Sequence, residues 1–219
     1  RGITCALLPR DIEGLTIGNR HDPMGVPFAN GPIHGKDVFI PVSAIIGGEK
    51  GIGNGWRMLV ESLAAGRSIS LPSLSVGAAQ LATRVCGAYA TIREQFDTPI
   101  GRFEGVEEIL ARIAGYTYMM DATRQMTCAA IDGGEKPSVL SGTVKAYLTE
   151  GMRKTLNDAM DLRAGAAIIR GPQNILSRAY SAIPIGITVE GSNVLTRSMI
   201  IYGQGAIRSH PYLLKEMTA

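Results

Sequence analysis

Apolar residues recur at spacings of three and four from about residue 54 onward, which is typical of amphipathic helices. Four segments show this spacing, around residues 56–63, 106–120, 140–148 and 195–202. In the third, Leu140, Val144, Tyr147 and Leu148 form the predicted apolar face. Glycine and proline breaks at 99–101, 133–134, 171–172 and 184–186 predict short loops, and therefore an antiparallel bundle. Pro72 predicts a kink or an interruption inside the first helical stretch.

The first 48 residues have a different pattern, with short apolar runs separated by turn residues. The runs occupy residues 3–8, 15–17 and 38–42, and glycine, proline and asparagine lie between them. We therefore expect three strands here. Because three strands without a closed sheet cannot bury a core, we interpret this part as the tail of a larger β domain.

Composition narrows the class of protein. The chain has 219 residues, of which 45% are hydrophobic and 19% charged, and this excludes a disordered or collagen-like chain. The net charge is only +3 and no basic block with interleaved aromatics occurs, so we expect no nucleic-acid partner. No apolar run is long enough to span a membrane and no signal peptide is visible, which favours a cytoplasmic protein, either free or peripheral at the inner membrane face.

Cysteine and histidine spacing argues against disulfides and metal sites. The three cysteines are far apart and odd in number: Cys5, Cys86 and Cys128. Free buried thiols in a reducing compartment are therefore expected. The three histidines also lack a His or Cys partner at ligand spacing: His21, His34 and His210. We predict no metal site.

Glu190 is the most informative carboxylate. It follows the apolar run 185–189 and precedes Gly191, with Ser192 or Asn193 placed to cap the final helix. A carboxylate in this position loses part of its hydration, which makes it a stronger general base near neutral pH. The alternative interpretation is an ordinary acid near a helix cap. Three arginines could each hold an anion or be structural: Arg67, Arg93 and Arg197.

Five segments, in the correct order, resemble the acyl-CoA dehydrogenase family. They are residues 14–18 with 24–26, 36–41, 53–57, 93–100 and 189–192. Arg93-Glu94-Gln95-Phe96 with Pro99 resembles the family signature RxxFxxP, and Val189-Glu190-Gly191-Ser192 resembles the motif that carries the catalytic base. The stretch from Thr188 to Arg208 is most similar to the long bacterial enzymes of fatty-acid β-oxidation.

The resemblance implies a fold and an activity. Residues 1–48 would end the family's middle β domain, and residues 49–219 would form its C-terminal four-helix bundle, so the fold class is mainly α. The chain lacks an initial Met, and we expect a fragment or one half of a split enzyme. The implied reaction is FAD-dependent α,β-dehydrogenation of a fatty acyl-CoA to trans-2-enoyl-CoA. The implied partners are an electron-transfer flavoprotein and further copies of the chain, as a dimer or tetramer.

The resemblance also assigns residues to roles. Glu190 would be the base, and Arg67 and Gly191 would contact the substrate. Residues implied to bind FAD are Arg93, Gln95, Phe96, Phe103, Glu104, Gly165 and Ser192. Asp161 and Val194 depart from the pattern of many relatives, which have glutamine at both positions, and Asp161 would place a negative charge near the cofactor. Gly66 stands where some branches carry the base; it offers none, and close helix packing is its alternative explanation.

Two alternatives from other classes remain open. The first is a degenerate, flavin-free subunit that serves only as an interaction partner, and the absence of an FAD spectrum in the longer protein would identify it. The second is a related flavin oxidase, which would pass electrons to oxygen and form peroxide instead of reducing an electron-transfer flavoprotein.

Overall fold

The computed structural model describes residues 2–219. The chain forms two compact units. The first ends at residue 63 and the second comprises residues 64–219. The boundary predicted between residues 48 and 49 falls within the first unit. Each unit has its own internal packing.

Short strands and turns form most of the first unit. β1 (Leu15–Ile17) pairs antiparallel with β2 (Ile33–Gly35), with Leu15 opposite Gly35. The strands predicted at residues 3–8 and 38–42 do not form; only Ala6 makes an isolated bridge, to Ile45. An extended segment becomes a strand only when a neighbour satisfies its backbone groups, and such pairing cannot be deduced from an apolar run alone.

A long first helix, α1 (Gly55–Ile92), continues through Pro72. Of the kink or interruption predicted there, the interruption does not occur. The proline side chain is fully buried, and Leu71, Ser75 and Val76 are buried beside it. Tertiary packing therefore compensates for the backbone hydrogen bond that proline cannot donate.

Two short 3-10 helices, Val42–Ala44 and Gly48–Gly51, lie in the first unit. The remaining α-helices lie in the second unit and are joined by short connections. A two-residue-loop hairpin, β3 (Glu94–Gln95) and β4 (Thr98–Pro99), follows α1. The further elements are α2 (Glu104–Asp132), α3 (Ser138–Arg163), α4 (Gly165–Ile168), α5 (Ser177–Thr188), α6 (Asn193–Leu195), a π-helix (Thr196–Gln204), α7 (Gly205–Ser209) and α8 (Leu213–Thr218). The break predicted at 184–186 was wrong because Pro184 lies inside α5, whose Ile183 and Gly186 are buried.

The core of the second unit is built around α3, which packs against α2, α5 and the π-helix. Its buried face repeats every three to four residues: Val144, Leu148, Met152, Leu156, Ala159 and Leu162. Tyr147, which the spacing placed on this face, is 66% exposed. The structure confirms a mainly α fold, and no helix among residues 2–219 is long and apolar enough to cross a membrane.

Candidate active site

Glu190 lies in a sharp turn between α5 and α6. Its φ is 55° and that of Gly191 is 83°, so two consecutive residues adopt the left-handed conformation. Glycine tolerates this conformation, whereas a glutamate there costs about 1–2 kcal/mol. Such strained backbones cluster at functional sites, where the surrounding contacts must hold them in place.

Polar side chains from three elements hold this turn. Arg67 on α1 donates from Nε to the Glu190 carbonyl at 2.7 Å. The Gly191 carbonyl accepts from Lys145 Nζ at 2.8 Å and from Thr196 Oγ1 at 3.1 Å. The structure thus brings together Glu190, Arg67 and Gly191, which the sequence predicted as base and substrate contacts.

The Glu190 carboxylate is itself available for chemistry. Its side chain is half-buried, and Oε2 is shielded from water and makes no hydrogen bond within the described chain. Arg67 bonds the main chain of Glu190 rather than its carboxylate. A carboxylate oxygen without a hydrogen-bond donor is free to accept a proton, as a general base requires.

Lys145 is a residue of this site that sequence analysis missed. It is fully buried, and its ammonium donates to Ile187 O at 3.1 Å, to Gly191 O at 2.8 Å and to Asn193 Oδ1 at 2.8 Å. Burial lowers the pKa of Lys145 to about 8, with a further lowering by Arg67 and opposing effects of Glu190 and Glu150. The sequence held one signal for this residue: Lys145 directly follows Val144, which belongs to the predicted apolar face of this helix.

Asn193 and Ser192 complete the turn. Asn193 is buried and donates from Nδ2 to Thr149 Oγ1 at 3.0 Å and to Glu150 Oε1 at 3.2 Å. Ser192 is the helix cap, because its Oγ accepts from Leu195 N at 3.4 Å. Of the two capping residues considered from sequence, Ser192 caps the helix and Asn193 anchors the turn to α3.

A second feature of this unit is a cavity of about 970 Å³ between the β3–β4 hairpin and the chain after α3. Five residues predicted to bind the cofactor line it: Arg93, Gln95, Phe96, Phe103 and Gly165. Glu104, Ser192 and Asp161 are not among the described lining residues. The negative charge expected near the cofactor is therefore not on the cavity wall.

The hairpin presents an aromatic side chain at this cavity. Its two loop residues, Phe96 and Asp97, have φ values of 54° and 56°, as a type I′ turn requires. Phe96 is 91% exposed, and its ring meets that of Phe103 edge-on with centroids 6.5 Å apart. A strained turn that exposes a large aromatic ring indicates a contact surface.

The opposite wall is a loop fixed by its own hydrogen bonds. Ala164, at the end of α3, has a φ of 47°. Asn174 Nδ2 donates to Ala167 O and, at 3.1 Å, to Ile169 O, while its Oδ1 accepts from Ser177 N at 3.1 Å. One buried asparagine thus ties the loop to the start of α5, and this wall of the cavity is pre-formed.

The charges on the cavity wall have one sign. Arg93, Arg163 and Arg170 line it, and no aspartate or glutamate occurs among its described residues. Arg197, the remaining arginine considered from sequence, is exposed on the π-helix and does not line it. The cavity suits an anionic ligand with an apolar or aromatic part, and no metal-binding cluster exists in the part of the chain that the structure covers.

Comparison with known proteins identifies the family. The family model described as "Acyl-CoA dehydrogenase, C-terminal domain" matches residues 53–203, which is more than half of the chain. The chain belongs to the acyl-CoA dehydrogenase family. Residues 53–203 include Glu190 with its supporting contacts and the cavity wall, so both features lie within the family's C-terminal domain.

Two curated proteins are similar to the chain, and the first is an acyl-CoA dehydrogenase by name. The probable acyl-CoA dehydrogenase YngJ of Bacillus subtilis is 30% identical over 204 residues, covering 90% of this chain and 51% of YngJ. A shorter stretch of 87 residues is 59% identical to the protein HemX of Proteus mirabilis, covering 40% of this chain and 51% of HemX. The chain therefore spans about half the length of these relatives.

Solved structures share the fold. Butyryl-CoA dehydrogenase from Megasphaera elsdenii superposes with a TM-score of 0.79 at 21% identity, covering 93% of this chain and 51% of that one. The FAD complex of PigA superposes with a TM-score of 0.79 at 22% identity, covering 94% and 52%. The helical arrangement is that of the C-terminal domain of acyl-CoA dehydrogenases, as the sequence predicted.

Proposed function

We propose that this chain supplies the C-terminal half of an FAD-dependent acyl-CoA dehydrogenase that converts a fatty acyl-CoA to the trans-2-enoyl-CoA. The observation that carries the proposal is the strained Glu190–Gly191 turn with an unpartnered carboxylate oxygen. Membership in the family supports the reaction class. Because the chain spans about half the length of YngJ, we expect the other residues of the site to lie outside this sequence.

Glu190 acts as the base that removes the α-proton of the thioester. Oε2 is available to accept this proton, because no donor within the described chain occupies its lone pairs. Arg67 and Lys145 contribute by fixing the main chain on either side of the carboxylate. The Glu190 N–H meets the thioester oxygen, whose negative charge grows as the proton leaves, and a positioned backbone donor stabilises such a charge.

A bound FAD would supply the hydride acceptor for the β-carbon. The cavity fits its adenosine diphosphate part, since aromatic rings and arginines line the same wall. Arg93 would hold the diphosphate through the forked donors of its guanidinium, and Gln95 would donate beside it. Phe96 and Phe103 would offer aromatic rings to the adenine, and Gly165 lies on the opposite wall.

Two assignments lack support from the cavity. Glu104 follows Phe103 at the start of α2, and Ser192 lies beside Glu190; neither lines the described wall. Both stay predictions. The exposed Phe96 supports a homo-oligomer in which the hairpin of one subunit meets the cofactor of its partner. An electron-transfer flavoprotein is the electron acceptor that the family resemblance implies.

The proposal is tested with the full-length protein. Purified protein should carry FAD, and anaerobic mixing with a fatty acyl-CoA should bleach the flavin and yield one equivalent of trans-2-enoyl-CoA by mass spectrometry. Reoxidation should be faster with electron-transfer flavoprotein than with oxygen. A protein that binds no FAD, or whose flavin stays oxidised with acyl-CoAs of every chain length, contradicts the proposal.

A further inference from the structure

Arg163, the last residue of α3, is a buried cation whose donors lack partners. It lines the cavity, yet its exposed fraction is only 7%. Nε and Nη1 are shielded from water and make no hydrogen bond. Nη2 donates only weakly, to Gln173 O at 3.5 Å. Buried guanidinium groups are normally paired, so this one requires an explanation.

The neighbours of Arg163 do not neutralise it. Its guanidinium lies 5.4 Å from the centroid of the Tyr89 ring, a cation–π contact that leaves the N–H donors unsatisfied. Cys86 is close, but burial raises the pKa of its thiol to about 11 despite the opposing charge of Arg163, so the thiol is neutral at physiological pH. No carboxylate forms an ion pair with Arg163 among residues 2–219.

We propose that Arg163 binds a phosphate oxygen of an adenosine diphosphate group in the cavity, a contact that nothing in the sequence motifs assigned. The inference rests on the proposed cofactor site and adds a residue of this chain to it. Arg93 and Arg170 supply further positive charge to the same wall, and no acid opposes them. A guanidinium offers a fork of donors to a phosphate, which suits the two unpartnered nitrogens.

Arg163 lies between Leu162 and Ala164, which also line the cavity. Because Nε and Nη1 are shielded, a phosphate reaches them only after a small side-chain displacement. The long Nη2 bond to Gln173 is the contact that gives way.

The test compares ADP with adenosine on flavin-free full-length protein. Arg163→Met keeps an apolar chain of similar length and removes the charge. It should weaken ADP binding about 10- to 100-fold, the usual effect of losing a charged hydrogen bond, and change adenosine binding less than about 3-fold. Arg178→Met, an exposed arginine on α5 outside the cavity wall, is the matched control and should change neither.

Thermal unfolding separates this role from a structural one. Without ligand, Arg163→Met should melt at or above the temperature of the wild type, because an unpaired buried charge is removed. With saturating FAD the order should reverse, since ligand stabilises the protein that binds it more tightly. A variant that melts below the wild type in both conditions, with unchanged ADP affinity, overturns the inference.

The remaining outcomes are also decisive. Equal weakening of ADP and adenosine overturns the phosphate contact. If Arg163→Met does not fold, Arg163→Lys keeps the charge without the fork and should still weaken ADP binding severalfold.

Titration with CoA distinguishes the source of the diphosphate: if Arg163→Met weakens CoA binding and leaves FAD retention unchanged, the diphosphate belongs to the substrate. If the wild type binds neither FAD nor ADP, the proposed cofactor site fails as well.

Discussion

Replacing the buried Lys145 with methionine should change stability in a pH-dependent way. The lysine donates three hydrogen bonds, to Ile187 O, Gly191 O and Asn193 Oδ1, and the variant leaves these acceptors unsatisfied. Each such loss costs about 1–3 kcal/mol. Against this, burial lowers the pKa of Lys145 from 10.5 to about 8, so keeping the ammonium charged below pH 8 costs about 3 kcal/mol. Since the three losses together equal or exceed this relieved cost, we expect a net destabilisation at pH 7 of up to about 6 kcal/mol.

The sign of the pH dependence follows from proton binding. Between pH 8 and 10.5 the unfolded chain holds the Lys145 proton more tightly than the folded chain. The stability of the wild type relative to Lys145→Met therefore rises with pH through this window, by up to about 3 kcal/mol. Arg67, Glu150 and Glu190 are the charged groups that act on Lys145, and they are unchanged in the variant.

Urea unfolding of the full-length protein at pH 7, 8, 9 and 10 measures this difference. Lys154→Met is the matched control, because Lys154 lies on the same helix but is exposed, and its ammonium contacts the Tyr116 side chain. The free energy of unfolding of Lys154→Met should differ from that of the wild type by the same amount at every pH. If the wild type exceeds Lys145→Met by an amount that is constant, or that shrinks as the pH rises, the account of the buried ammonium is refuted.

Three further substitutions test packing and cofactor binding. Gly66→Ala should stabilise the protein by up to about 1 kcal/mol, since an added Cβ meets nothing within 4 Å; unfolding by urea measures it. Gly151→Ala should destabilise it by about 1–3 kcal/mol in the same assay, because its Cβ would lie 2.8 Å from Met120 Sδ. Arg93→Ala should lose FAD during gel filtration and melt earlier, and added FAD should partly restore the melting temperature; unchanged flavin retention contradicts its role.

The helices of the second unit could be predicted because apolar periodicity is a local property. The segments that became α2 and α3 were found from spacing alone, although Tyr147 on α3 is exposed. Pro72 and Pro184 misled the prediction, because both prolines lie in helices that are held by packing against distant residues. Local sequence carries no information about that packing. For the same reason the sequence allowed the interpretation that Gly66 serves close helix packing. The structure does not support it, because a Cβ added at Gly66 would meet nothing within 4 Å.

The candidate site was predictable only in part. The family resemblance pointed to Glu190, Arg67 and Phe96 as site residues, since the motifs stand in recognisable order along the chain. The hairpin that presents Phe96 was not predicted. Lys145 and Arg163 were missed because their roles arise from burial and from contacts with distant segments. Lys145, for instance, meets carbonyls more than 40 residues away.

The most direct test of the central claim is the rate of anaerobic flavin reduction by a fatty acyl-CoA in Glu190→Gln full-length protein. Glu108→Gln, an exposed glutamate paired with Arg112, serves as the matched control. The account predicts that Glu190→Gln reduces flavin about 10²- to 10⁴-fold more slowly, with nearly unchanged FAD content and acyl-CoA affinity. Flavin reduction by Glu190→Gln at the rate of the wild type and of Glu108→Gln would contradict the assignment of Glu190 as the base.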